Sequence, residues 1–153
     1  MRFILVFLIL LPILFIAARV MVARQPAKST LGPNNGQLHP CPETPNCISS
    51  QASQTDAEHY LPAIPYSGDE TFTMSQLIKV ISAMPRAVII KKETNYLHAE
   101  FRSRMFGFVD DVEFLLDDAS KLIHFRSAAR LGKGDLGVNK KRMLELTEKL
   151  TSN

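Results

Sequence analysis

The chain has 153 residues, with 18 Lys and Arg against 15 Asp and Glu, a formal charge of +3 and a pI near 9.0. That length holds one core of ordinary size once an N-terminal extension is set aside. The near-balanced charge excludes the uniform basic field of a dedicated nucleic-acid binder, and no helix-turn-helix, zinc-finger or aromatic RNA-binding pattern accompanies the basic residues.

Residues 3–18, FILVFLILLPILFIAA, are apolar throughout, and the run resumes after Arg19 as far as Ala23. A stretch of roughly 20 apolar residues is long enough to cross a bilayer. A cleaved signal peptide has a shorter apolar core, about 7–15 residues, followed by a small-x-small cleavage site. Only Ala18 and Ala23 offer poor versions of that site. We therefore expect residues 1–23 to be a transmembrane anchor in preference to a cleaved segment, with Arg19 snorkelling to the interface and Pro12 tolerated inside the helix.

Basic residues flank both ends of the run, Arg2 on one side and Arg19, Arg24 and Lys28 on the other, which slightly favours a cytoplasmic domain. The cysteines argue the other way. Cys41 and Cys47 sit in CPETPNC, where turn residues can bring the thiols together. A disulfide there contributes about 2 kcal/mol on the chain-entropy model and requires an oxidising compartment; two separate reduced thiols are the alternative. Cys-x5-Cys matches neither a thioredoxin motif nor a zinc knuckle. The expectation is a single-pass protein with a periplasmic or equivalent lumenal domain.

Residues 24–40, rich in Pro, Gly, Asn and Ser, read as a linker that stands the domain off the membrane, and residues 41–153 as one domain. The stretch from Cys41 to Gly68 shows neither helical nor strand periodicity and reads as extended chain packed on the domain. Thr71 to Met84 predicts a helix, with Phe72, Leu77, Ile78, Ile81 and Met84 as its apolar stripe and Pro85 ending it. Four strands follow. A turn at Thr94 and Asn95 pairs Val88 with Phe101 and Ile90 with Ala99; a second hairpin with Asp117 to Ser120 as its loop pairs Leu116 with Lys121, Glu113 with His124 and Asp111 with Arg126. Gly107 marks a bulge or bend between the two hairpins. A closing helix from Lys140 to Leu150 buries Met143, Leu146 and Leu150, with Asn139 as N-cap and Val138 stapled to Met143. The predicted fold class is α+β: a four-stranded antiparallel sheet of two hairpins, helices on one face, and an exposed opposite face.

That opposite face is the candidate site. Arg102, Arg104, Asp111, Glu113, His124 and Arg126 alternate with the apolar Phe101, Val112, Phe114, Ile123 and Phe125, a period of two that gathers the charges on one side. Asp110 and Asp111, being adjacent, point to opposite faces, and Asp110 is left to backbone amides or an arginine near the Gly107 bend. With Arg130 just beyond the strand, four guanidinium groups suit capture of phosphate or carboxylate, as found on an anionic small molecule, a lipid headgroup or an envelope polymer. A second reading makes Glu113 and His124 an acid-base pair of a hydrolase or isomerase, although no G-x-S-x-G or S-x-x-K motif is present. A third makes the charges a structural cross-strand ladder in a scaffold for another membrane protein. His39, His59 and His98 read as solvated, GKGDLG at 132–137 as turn glycines, and no metal or cofactor is expected.

Taken together, CPETPNCISS, FRSRMFGFVDDVEF and FRSAARLGKGDLGVNKKR resemble the bacterial and plastid family called domain of unknown function 1499, over roughly Pro40 to Leu150. The resemblance implies that Cys41, Cys47, Ser49, Ser50, Arg104, Asp110, Asp111, Arg126, Ser127, Arg130, Asp135, Asn139 and Arg142 occupy family motif positions. It implies no activity.

Overall fold

A computed structural model describes residues 2–27 and 30–152, leaving out the side chains of 2–7 and 9; Lys28, one of the flanking basic residues, lies outside the described residues. The elements run α1 (Arg2–Ala23), β1 (Cys47–Ser49), β2 (Ile64–Pro65), α2 (Glu70–Ala83), β3 (Ala87–Lys92), β4 (Tyr96–Arg102), β5 (Val109–Asp117), β6 (Leu122–Ala129) and α3 (Val138–Thr151). The α+β class holds, but the sheet has six strands where four were expected. β3 to β6 form one continuous antiparallel meander, and β1 and β2 both add to β6. Strands of three and two residues are too short to display alternation, which is why the segment before α2 reads as irregular.

α1 forms where the apolar run predicts a helix. Among the described residues, however, no helix is long and apolar enough to cross a membrane, so the expected transmembrane assignment of residues 3–23 draws no support from them. Cys41 and Cys47 are bonded to each other, as the turn-rich spacing suggests.

α2 starts at the Asp69 cap, whose carboxylate accepts the Phe72 amide at 2.7 Å, and ends where Met84 turns extended ahead of Pro85. Met74, Leu77, Val80 and Ile81 face the sheet, while Phe72, expected in the buried stripe, is 57% exposed because Thr73 and Met74 take the inward side of the first turn. α3 begins one residue before its expected cap. Asp135 takes the capping role, accepting from the amides of Gly137 (3.0 Å) and Asn139 (2.8 Å), so Asn139 enters the helix and is buried. Val138, expected to be stapled to Met143, is 47% exposed. The two helices cover one sheet face over a core of Leu97, Val112, Phe114, Ile123, Phe125, Met143 and Leu146 with α2 residues. Burying that apolar surface is the main force holding the layers together, at ~25 cal/mol per Å².

Both expected hairpin registers need correction. In β3–β4, Ala87 pairs Phe101 and Ile89 pairs Ala99, and the register shifts between Ile89 and Lys91. The bulge absorbs one residue and leaves Val88 and Ile90 on the exposed side. In β5–β6, Glu113 pairs Arg126 and Leu115 pairs His124, two residues off the expectation, because the loop is Asp118–Lys121 and Asp117 stays in the strand while accepting the Ala119 and Ser120 amides. A slip of two preserves side-chain facing whereas a slip of one reverses it. Asp111, Glu113 and Arg126 therefore share one face as expected, but with different neighbours.

The largest correction concerns what lies over that face. It is covered by the segment expected to be a free linker. The Ala23 carbonyl accepts from Arg102 Nη1 at 3.0 Å, the Gln25 carbonyl from Arg130 Nη1 at 2.8 Å, and the Gly32 amide donates to Glu113 Oε1 at 2.7 Å. Leu38 packs with Tyr96 and Leu115 in a second, small apolar cluster. Extended polar chain finds partners for its backbone here that a free linker would leave to water.

Candidate functional site

The meander places Tyr96, His98 and Glu100 of β4 beside Glu113 and Asp111 of β5, with Arg126 of β6 opposite Glu113. Two linked groups result. In the first, Glu113, 0% exposed, accepts hydrogen bonds from the Tyr96 hydroxyl (2.8 Å), the Gly32 amide (2.7 Å) and Arg126 Nη1 (3.1 Å). In the second, Asp111 accepts from Arg130 through Nε (2.8 Å) and Nη2 (2.7 Å) and from His98 Nε2 (2.8 Å). A carboxylate only accepts, so this contact puts the His98 proton on Nε2. Arg130 Nη2 also reaches Glu100 Oε1 at 2.5 Å, and the other Glu100 oxygen accepts from Arg102 Nη2 at 2.8 Å.

Three carboxylates and three guanidinium groups thus balance. Burial alone would raise the Asp111 pKa, but the hydrogen bonds from Arg130 and His98 outweigh it and hold the carboxyl below its ordinary value. The same hydrogen bonds to Asp111 push Arg130 upward against the effect of burial, with Glu100 adding to them. Burial first, and then the neighbouring Glu113, keep the Tyr96 hydroxyl protonated and donating. Such a network leaves little free positive charge for an incoming anion, and its members are mutually dependent because each removal strands a buried charge. Arg126 Nε is the exception: it is buried and has no partner among the described residues.

Of the sequence-predicted residues, Arg102, Asp111, Glu113, Arg126 and Arg130 are brought together. Arg104 is not; it is exposed on the loop joining β4 to β5. His124 is not either. It lies opposite Leu115, with Nδ1 3.4 Å from Ser50 Oγ, and that hydroxyl already accepts the Phe125 amide at 2.9 Å. Burial lowers the His124 pKa, opposed by Asp117. The Glu113–His124 acid-base pair is therefore not formed, because the register carries His124 two positions along the strand. Tyr96, His98 and Glu100 join the network, although the sequence reading leaves Tyr96 and Glu100 out of the site and expects a solvated His98. Their alternation in YLHAEF matches that of the arginines and carboxylates and was available in the sequence.

A second polar knot ties the helix layer to the sheet from the other side. Asp110 faces away from Asp111, as expected of adjacent strand residues, and pairs with Arg142 of α3 at 2.6 Å. Burial raises its pKa, with Arg142 opposing. Asn139 is bonded to Ser127 (2.5 Å), Arg142 (2.6 Å), Asp135 (2.7 Å) and the Asn46 carbonyl (3.2 Å). His59, also read as solvated, is buried between Asp56 and the Thr44 carbonyl. A groove of about 610 Å³ opens between α2, α3 and β2; none of the predicted site residues lines it. No group of three or more His, Cys, Asp or Glu placed to hold a metal occurs among the described residues.

The result is a disulfide-stapled α+β domain whose outer sheet face is closed by a balanced ionic network under an N-terminal strap. The chain belongs to the family described as Protein of unknown function (DUF1499), which matches residues 37–150, in agreement with the resemblance carried by its three motifs. No curated protein matches the chain. The family span begins at Gln37, so α1 and most of the strap lie ahead of it. Within that span the polar motif residues Asp110, Asp111, Ser127, Arg130, Asp135, Asn139 and Arg142 all bond to other parts of the domain.

Proposed function

We propose that this is a membrane-anchored envelope protein with a non-catalytic, partner-presenting domain, in which the charged sheet face clamps the domain to its N-terminal helix. The observation that carries this reading is Arg130, which holds Asp111, Glu100 and the Gln25 carbonyl at once. Together with Arg102 on the Ala23 carbonyl, it fixes the chain leaving α1 against the sheet. Anchoring is supported by the sequence alone, in which the apolar run that ends at Ala23 has roughly the 20 residues a bilayer crossing needs. A lumenal or periplasmic domain is supported by the Cys41–Cys47 bond.

A second reading, capture of an anionic ligand, keeps one supporting observation, the unpartnered Arg126 Nε. A phosphate or carboxylate oxygen would satisfy that donor. Native mass spectrometry of the full chain, released gently from carbonate-washed membranes, separates the two. The clamp reading expects retention in the washed membrane and a bare polypeptide mass for both the wild type and Arg126→Ala. A bound anion lost in Arg126→Ala overturns it in favour of ligand capture, and release by carbonate removes the anchor.

A further inference from the structure

The loop joining β4 to β5 has no part in the ionic network, yet it carries three large apolar side chains that are exposed close together. Met105 is 62% exposed, Phe106 47% and Phe108 42%, and the rings of Phe106 and Phe108 are 5.8 Å apart. Three exposed large side chains within four residues are unusual for a surface facing only water, and such patches mark contact surfaces.

The position of the loop says what it contacts. Phe106 packs edge-to-face on Phe15 of α1, with ring centroids 6.2 Å apart. Gly107 sits against the same helix one and two turns further on: a β-carbon there would lie 3.6 Å from Arg19 Cγ and 3.7 Å from Ala23 Cβ. Its φ of +72° belongs to the left-handed region that glycine enters freely, so the loop can turn its backbone onto the helix between the two phenylalanines. Phe15 lies about 12 Å along the helix axis from Ala23, at 1.5 Å per residue. Phe106 therefore stands level with the apolar part of α1, not with its polar exit. Beside this apolar edge, Arg24 and Arg104 are exposed, and the Arg19 side chain runs along the loop.

We infer that Met105, Phe106 and Phe108 form a membrane-inserting lip, entering the acyl-chain region of the bilayer alongside α1 while Arg24 and Arg104 meet the phosphates above it. The inference rests on the anchoring reading. Aromatic and thioether side chains on a turn, with arginines at the water side, have the chemistry of interfacial insertion. The lip gives the domain a second membrane contact beyond its tether, so the clamp and the lip together set its orientation on the lipid surface.

The chain contains no tryptophan, so single Phe→Trp substitutions report without background. The full chain is reconstituted in phosphatidylcholine vesicles with brominated acyl chains, as Phe106→Trp, Phe108→Trp, Phe15→Trp within α1, and Phe72→Trp on the exposed side of α2. Each variant is first matched to the wild type in thermal unfolding. The lip predicts strong quenching at 15, 106 and 108 and none at 72. Quenching at 15 without quenching at 106 and 108 overturns the lip and leaves the anchor standing. No quenching at any position overturns both. Quenching at 72 equal to that at 106 also overturns it, since the domain would then contact lipid without preference.

Discussion

Asp111 and Arg130 are joined by two hydrogen bonds, Nε to Oδ2 at 2.8 Å and Nη2 to Oδ1 at 2.7 Å, with both side chains almost wholly withdrawn from solvent. The fork geometry of arginine is what makes this pairing possible; a lysine would supply one point charge and leave an oxygen unmatched. Arg130→Ala strands Asp111 and Glu100 without their main cation. We expect it to destabilise the domain by about 3–5 kcal/mol, read as a lowered midpoint in urea unfolding, with Arg130→Lys between the variant and the wild type.

His124 gives a pH dependence with a defined sign. Burial lowers its folded pKa below the ordinary 6.5, so the unfolded chain binds a proton that the folded chain resists. The stability associated with neutral His124 is present above pH 6.5 and is lost as pH falls toward the folded value. His59, whose folded pKa is raised through Asp56 against the effect of burial, works in the opposite direction over the same range. The comparison is therefore made against His124→Gln, whose melting temperature is expected to fall less than that of the wild type between pH 7 and about pH 5. Parallel curves would remove His124 from the account.

Asp111 acts at lower pH. Its folded pKa lies below 3.8, so its contribution is present above that value and disappears as pH falls through the folded one. Asp111→Asn is expected to cost stability at neutral pH and to converge on the wild type in strong acid, measured by chemical unfolding across the acid range.

The Cys41–Cys47 bond closes a short loop just ahead of β1. On the chain-entropy relation, its reduction is expected to cost about 2 kcal/mol. The accompanying loss should fall on the β1 edge, where Asn46 donates to the Gly132 carbonyl and its own carbonyl accepts from Asn139. Thiol labelling of the unreduced protein from its host should find no free cysteine; two free thiols would contradict an oxidising location.

Asn139 of α3 joins its own helix to β6 and to Asn46, the residue ahead of β1, through one side chain. Asn139→Ala leaves the Ser127 hydroxyl and the Asn46 carbonyl without that partner inside the core, and we expect a loss of about 1–3 kcal/mol. The test is the unfolding midpoint of the variant beside that of Asn139→Asp.

Much of the architecture was legible because period-two alternation survives uncertainty in register. Alternation puts Glu113, Arg126 and Asp111 on one face and Asp110 on the other whatever their partners, since a two-residue slip leaves facing unchanged. The partners themselves were not legible, because they depend on where a hairpin loop closes, and Asp117 could serve equally as the last strand residue or the first of the loop. The burial of the charged face was hidden for a different reason. Residues 24–38 have the composition of a flexible linker, and their attachment relies on the backbone groups of Gln25 and Gly32, with that of Ala23 just ahead of them, which every sequence carries alike. The alternation of His98 and Glu100 puts them on the same face from sequence, but the partner that ties them together, Arg130, is distant in sequence and contributed from beyond β6.

The measurement that tests the clamp most directly is hydrogen–deuterium exchange of the full chain in lipid, followed across residues 24–38. The Gly32 amide donates to Glu113 and the Leu38 amide to Gln51, so both are expected to exchange far more slowly than unstructured chain and to lose that protection in Arg130→Ala. Exchange of these amides at the unprotected rate in the wild type would contradict the account, leaving residues 24–38 a free tether and the charged face open to solvent.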